Sequence, residues 1–90
     1  MKIGDFEVFV EDQIMIVTNK KRTVKLEDVK EIRETLKETF NKTYNYVIYN
    51  SLLGYYSGYD FLKEKSVYCG SMNKATNIKK MKRYIEDEMV

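Results

Sequence analysis

Leu26, Val29, Ile32, Leu36 and Phe40 recur at steps of three and four, which puts five large apolar side chains on one stripe of an α-helix. A helix of that kind is stable only against a surface that receives the stripe, so this spacing constrains the rest of the chain more than any other feature. Glu27, Asp28 and Glu31 suit the positive end of the helix, and Lys30 with Glu34 forms an i,i+4 pair. Asn41 is able to close it in the left-handed conformation. Its start is open between a cap at Thr23 and an extended stretch over residues 23–25.

The receiving surface is expected to be a sheet. Residues 6–10 and 14–18 are rich in Val, Ile and Phe and are separated by Glu11, Asp12 and Gln13, a hairpin spacing. Glu-Asp lacks the Gly or Asn of a two-residue primed turn, so a three-residue loop is expected. In that register Phe6, Val8, Val10, Ile14 and Ile16 share one face, and Phe9, Met15 and Val17 take the other. Both faces are then apolar, and the second is expected to be covered by another element or by a partner chain. With only two helices to hand, a homodimer is the expectation.

Residues 44–50, dominated by β-branched and aromatic side chains, read as a third strand beside the hairpin. Residues 51–65, with Gly54 and Gly58, read as a loop with short structure, and residues 66–70 as a fourth strand. Met72, Ala75, Ile78, Met81 and Ile85 give a second helical stripe, capped by Ser71 or Asn73. The expected fold is therefore one compact α+β domain over residues 1–90, a small, mainly antiparallel sheet in ββαββα-like order with two amphipathic helices. Ile32, Leu36, Ile78 and Ile85 are expected in its core.

Composition narrows the chemistry. The chain is 43% hydrophobic and 33% charged, within the globular range, and its 90 residues support one core. A lone Cys69 has no partner for a disulfide, and the absence of histidine removes the usual general base and most zinc and iron sites. Gly54-Tyr55-Tyr56-Ser57-Gly58 lacks the Lys-Ser/Thr of a phosphate loop and the glycine pattern of a dinucleotide turn. Tyr59 and Lys63 have the spacing of the short-chain dehydrogenase pair in a chain too small for that cofactor fold. Cys69, in the apolar stretch Val67-Tyr68-Cys69, reads as a buried inert thiol. No catalysis, cofactor or metal is expected.

The opening residues lack a basic segment followed by a long apolar one, and no apolar run nears the roughly 20 residues of a membrane span, so a cytoplasmic protein without membrane contact is expected. The formal charge of +2 is too small to indicate a partner by itself. Its distribution is more informative: Lys20, Lys21, Arg22 and Lys25 form one basic cluster. Lys79, Lys80, Lys82 and Arg83 form another on the last helix, either a solvated face or a nucleic-acid contact.

Tyr55, Tyr56 and Tyr59 crowd a glycine-containing segment, where they either present a recognition surface or fold back to enlarge a small core. A desolvated ring contributes more affinity than a wet-rim lysine, so the tyrosines are expected to outweigh the basic helix in any contact. These features predict a small non-catalytic protein-binding module or regulator. The abundance of Lys, Asn, Ile and Tyr without Pro, Trp or His resembles coding from an AT-rich genome and suits a phage or mobile-element accessory protein that inhibits a host protein. The alternative is a small nucleic-acid-binding domain that uses the basic C-terminal helix and the tyrosine-rich loop.

Overall fold

A computed structural model describes residues 1–88. Strands β1 (Lys2–Ile3), β2 (Phe6–Glu11) and β3 (Ile14–Thr18) precede helix α1 (Leu26–Phe40); β4 (Tyr46–Asn50), β5 (Tyr56–Asp60) and β6 (Lys65–Val67) then lead to helix α2 (Lys74–Glu88). The six strands form one sheet in sequence order, antiparallel throughout except for β3 and β4, which run parallel because α1 carries the chain back between them. The expected α+β class with a mainly antiparallel sheet is what forms. The sheet is larger than expected by β1 and by β5, the latter lying in the stretch read as a loop. Among the described residues no helix is long and apolar enough to cross a membrane.

The hairpin register differs from the expected one. Glu11 pairs with Ile14, so the loop holds only Asp12 and Gln13, and Asp12 takes φ 54° in place of the expected glycine or asparagine. A short polar side chain tolerates that conformation better than most. Shortening the loop by one residue flips every side chain of one strand relative to the other. Phe6, Val8, Met15 and Val17 consequently share a face, and Ile14 and Ile16 occupy the opposite one. Val10 sides with Met15 and Phe9 with Ile16, and both remain a little under half exposed, with the Lys74 ammonium 4.8 Å from the Phe9 ring centre.

Each face has its own helix. α1 buries Val29, Ile32 and Leu36 on the first face, against Met15, Val17 and Val47. α2 buries Met81 and Ile85 on the second, against Ile14, Ile16 and Ile48. The apolar character of both hairpin faces, which suggested a second copy, is thus met within one chain by helices on opposite sides of the sheet.

The helix ends follow from local chemistry. The Asp28 carboxylate accepts the Lys25 N–H at 2.9 Å at the start of α1, while Thr23 faces elsewhere and accepts the Leu52 N–H at 2.9 Å. Asn41 closes α1 with φ 56°, its N–H reaching the Lys37 carbonyl at 2.9 Å. Asn73 caps α2 by accepting the Thr76 N–H at 3.1 Å. The buried face of α2 runs through Asn77, Met81 and Ile85, with Ile78 half-buried beside it and Met72 and Ala75 outside. Asn77 tolerates complete burial because its side chain is bonded to the Ser71 N–H and to the Ser71 and Asn73 carbonyls, which fixes the connection into α2.

Gly58 does not serve a bending loop. It lies buried in β5 beneath α2, where an added Cβ would stand 2.8 Å from the Val67 carbonyl oxygen, 2.9 Å from the Cys69 sulfur and 3.0 Å from the Met81 methyl. The carbonyl belongs to the paired strand, so it moves only with the β5–β6 ladder. Gly58→Ala is expected to cost about 1–3 kcal/mol through this overpacking. An unchanged denaturant midpoint would show that α2 does not approach β5 so closely.

Candidate functional site

β3 and β4 finish side by side at Thr18 and Asn50, and β5, α1 and α2 all begin at that same end, here called the upper end. The two chain segments that leave it are tied together. The Asn19 N–H donates to the Asn50 side-chain oxygen at 2.7 Å, and the Asn50 side-chain amide donates back to the Asn19 carbonyl at 2.8 Å. The Val24 N–H reaches the Asn50 carbonyl at 2.9 Å, and Asn19 accepts the Lys21 N–H at 2.8 Å. The basic segment 20–25 is therefore held directly beside the loop that follows β4.

That loop is a tight hairpin tip. The Gly54 N–H donates to the Ser51 carbonyl at 2.9 Å, the Ser51 N–H donates to the Tyr55 carbonyl at 2.7 Å, and Gly54 sits at φ +95°. This is a three-residue connection closed by a left-handed glycine. Its first two positions, normally polar, carry Leu52 and Leu53, the latter 75% exposed. Neither belongs to the buried clusters, so they add little to folding.

Other exposed apolar groups adjoin the tip. Gly54 approaches Met72, whose methyl would lie 3.2 Å from a Cβ at that position, and Met72 is itself exposed. Tyr55 and Tyr68 share the walls of an open cleft of about 500 Å³ with Tyr49, and Tyr68 is 84% exposed. The Lys80 ammonium stands 5.1 Å from the Tyr68 ring centre while donating to the Cys69 carbonyl at 2.8 Å. Burial raises the Tyr49 phenol, with Tyr59 and Cys69 adding to it, and burial also raises Tyr56, so both rings stay neutral hydrogen-bonding groups at physiological pH. The Cys69 thiol is pushed up by burial and only partly pulled back by Lys80, which leaves it a poor nucleophile.

The tyrosines singled out in the sequence do not form one surface. Tyr56 and Tyr59 project from opposite faces of β5, Tyr56 half-buried against the α2 core and Tyr59 half-buried against the α1 core, edge-on to Phe61. Tyr55 alone of the three stays exposed at the upper end.

The basic residues of α2 divide as well. Lys82 pairs with Glu11 at 2.5 Å and Asp12 at 3.5 Å, and Lys80 is held at Cys69 and Tyr68. Lys79 and Arg83, one helical turn apart, remain exposed. In the other basic cluster Arg22 is bonded to Asp28 at 3.0 Å and lies over the Phe6 ring, whereas Lys20, Lys21 and Lys25 are exposed beside the hairpin tip.

Leu52, Leu53 and Tyr68 were not among the contact residues the sequence singled out, and Met72, read as part of the α2 stripe, is exposed instead. Their signal was present: two leucines before a glycine in a turn break the polar rule for turns. Among the described residues no group of three His, Cys, Asp or Glu side chains converges as a metal site would require. Comparison with known proteins finds no matching family model, no similar curated protein and no similar solved structure.

Proposed function

We propose that this chain is a small non-catalytic protein-binding module or regulator, and that it meets its partner through the Leu52 and Leu53 hairpin tip with Tyr55, Tyr68 and Met72. The observation that carries this reading is the exposure of two leucines at a hydrogen-bonded turn that the core does not use. A cluster of large exposed apolar groups at one end of a small domain is a feature of interaction surfaces. The AT-rich character of the composition supports a cytoplasmic accessory protein of a phage or mobile element that inhibits a host protein.

The nucleic-acid reading draws on Tyr55 and Tyr68, whose exposed rings are able to stack on bases beside Lys80. It is the weaker of the two, since Leu52, Leu53 and Met72 offer no stacking face and Lys80 and Lys82 are already engaged within the chain.

Site-specific photocrosslinking separates the readings. A photoreactive residue at position 53 is expected to give a discrete, nuclease-resistant protein adduct in the native cell, while one at Glu38, on the exposed side of α1, gives none. Nuclease-sensitive adducts at position 53 would replace this reading with the nucleic-acid one. Against the partner so identified, Leu53→Asp is expected to weaken binding by more than about tenfold, as removal of a central apolar anchor does.

A further inference from the structure

Resting on the reading of the hairpin tip as a protein contact, we infer that the partner presents an acidic segment carrying at least two large apolar side chains, the apolar groups seated on Leu53 and Tyr55 and the carboxylates facing Lys20, Lys21 and Lys25. The formal charge of +2 conceals a strong polarity. Residues 13–26, 51–59 and 66–85, which build the hairpin tip, the basic segment and the α2 layer, contain no Asp or Glu; of the carboxylates that do lie at the upper end, Asp5 and Asp28 face Arg22, and Glu27 follows on the first turn of α1. At the opposite end of the sheet, Glu11, Asp12 and Glu88 are paired with Lys63, Lys65 and Lys82. Among the described residues Lys20, Lys21 and Lys25 make no ion pair, and hydrogen bonds hold their segment against the tip. The first turn of α2, opening at the same end, carries no acidic residue to offset its dipole. An apolar contact rimmed by cations on one side selects for apolar anchors flanked by carboxylates.

Strand addition is the competing mode of peptide capture, and both sheet edges are poor templates for it. β1 has two residues and β6 three. Beyond Val67 the β5–β6 pairing slips, with the Gly70 N–H bonded to the Tyr56 carbonyl at 2.7 Å and Gly70 at φ +72°, a bulge that twists this edge. Side-chain anchoring at the upper end is the mode left.

The test is selection of binders by the intact protein from two displayed peptide libraries that share Leu, Phe or Trp at helical spacing and differ only in polar positions, Asp and Glu in one and Lys and Arg in the other. The acidic library should be enriched. Its binders should lose about tenfold in affinity against the Lys20→Glu, Lys21→Glu double variant, weaken with added salt, and be lost with Leu53→Asp. Circular dichroism should show both variants folded, because all three positions are exposed and outside the core. Acidic binders that ignore the lysine reversal yet need Leu53 would overturn the charge assignment and leave the protein-contact reading standing. Binders indifferent to Leu53→Asp would overturn that reading. Enrichment from the basic library, or from neither, removes the inference, as does displacement of the selected peptide by oligothymidylate or anionic vesicles at lower concentration than the peptide itself.

Discussion

Leu36→Ala is expected to lower the unfolding free energy by about 2–5 kcal/mol, the range for removing a fully buried leucine and leaving a cavity that the surroundings only partly fill. Leu36 is fully buried on the α1 stripe, packed into the cluster that holds Met15, Val17 and Val47. A domain of this size retains only about 5–10 kcal/mol in total, so the variant should lie close to its unfolding midpoint in mild denaturant. Phe40→Ala supplies the internal control. It belongs to the same stripe by spacing, yet the ring is half exposed beyond the sheet, and its loss should cost under about 1 kcal/mol. Equal losses in urea titrations of the two variants would show that α1 does not seat on the sheet as described.

That contrast shows where spacing is informative and where it is not. Periodicity identifies which side of a helix is apolar, and α1 followed it from Leu26 to Leu36. It does not report how far the sheet extends beneath, so Phe40 at the last turn and Met72 before α2 were legible as stripe and emerged exposed. The hairpin illustrates a different limit. Asp12 was able to adopt a left-handed turn without Gly or Asn, and that single backbone choice reversed the face assignments of one strand. β5 was hidden because Tyr-Ser-Gly-Tyr-Asp has weak strand propensity; it exists because β4 supplies a paired edge and α2 needs the space that Gly58 leaves.

The candidate site was only partly legible for the same reason. Alternation within β5 separates Tyr56 from Tyr59, a consequence invisible while the segment is read as a loop. Ion pairing removed Lys82 from the free basic face, and that pairing depends on the β2–β3 turn lying beneath the lower half of α2. The upper end combines what remains: Tyr55 from the tyrosine cluster, Lys20, Lys21 and Lys25 from the first basic cluster, and two leucines whose local context alone set them apart. The topology brings them together, because a parallel β3–α1–β4 unit ends both strands on one side and the connections leave there.

At the lower end, Asp60 anchors the β5–β6 turn, and Asp60→Ala is expected to cost about 2–4 kcal/mol because hydrogen bonds to a charged acceptor are among the stronger ones and their donors would be left behind. The carboxylate is 1% exposed, accepts the Tyr84 hydroxyl at 2.6 Å and takes the Leu62 and Lys63 N–H groups at 2.8 and 3.1 Å. It joins α2 to the sheet edge. Burial acts to raise its pKa, but the bonds from Tyr84, Lys63 and Leu62 outweigh burial and hold it below the ordinary 3.8. A carboxyl whose folded pKa is depressed contributes stability above its unfolded value and loses it as pH falls through the folded value. Tyr84 responds in the opposite sense: burial and the Asp60 bond push its phenol up to about 12, so its contribution persists below the ordinary 10.0 and fades as pH climbs toward 12. The stability gap between the native chain and Asp60→Asn should therefore be widest near neutral pH and should narrow at acid pH, below the ordinary carboxylate value. Urea titrations at a series of acid pH values measure it directly, and a gap that stays constant down to the acid unfolding limit would mean that the Asp60 charge is not what holds α2 to the turn.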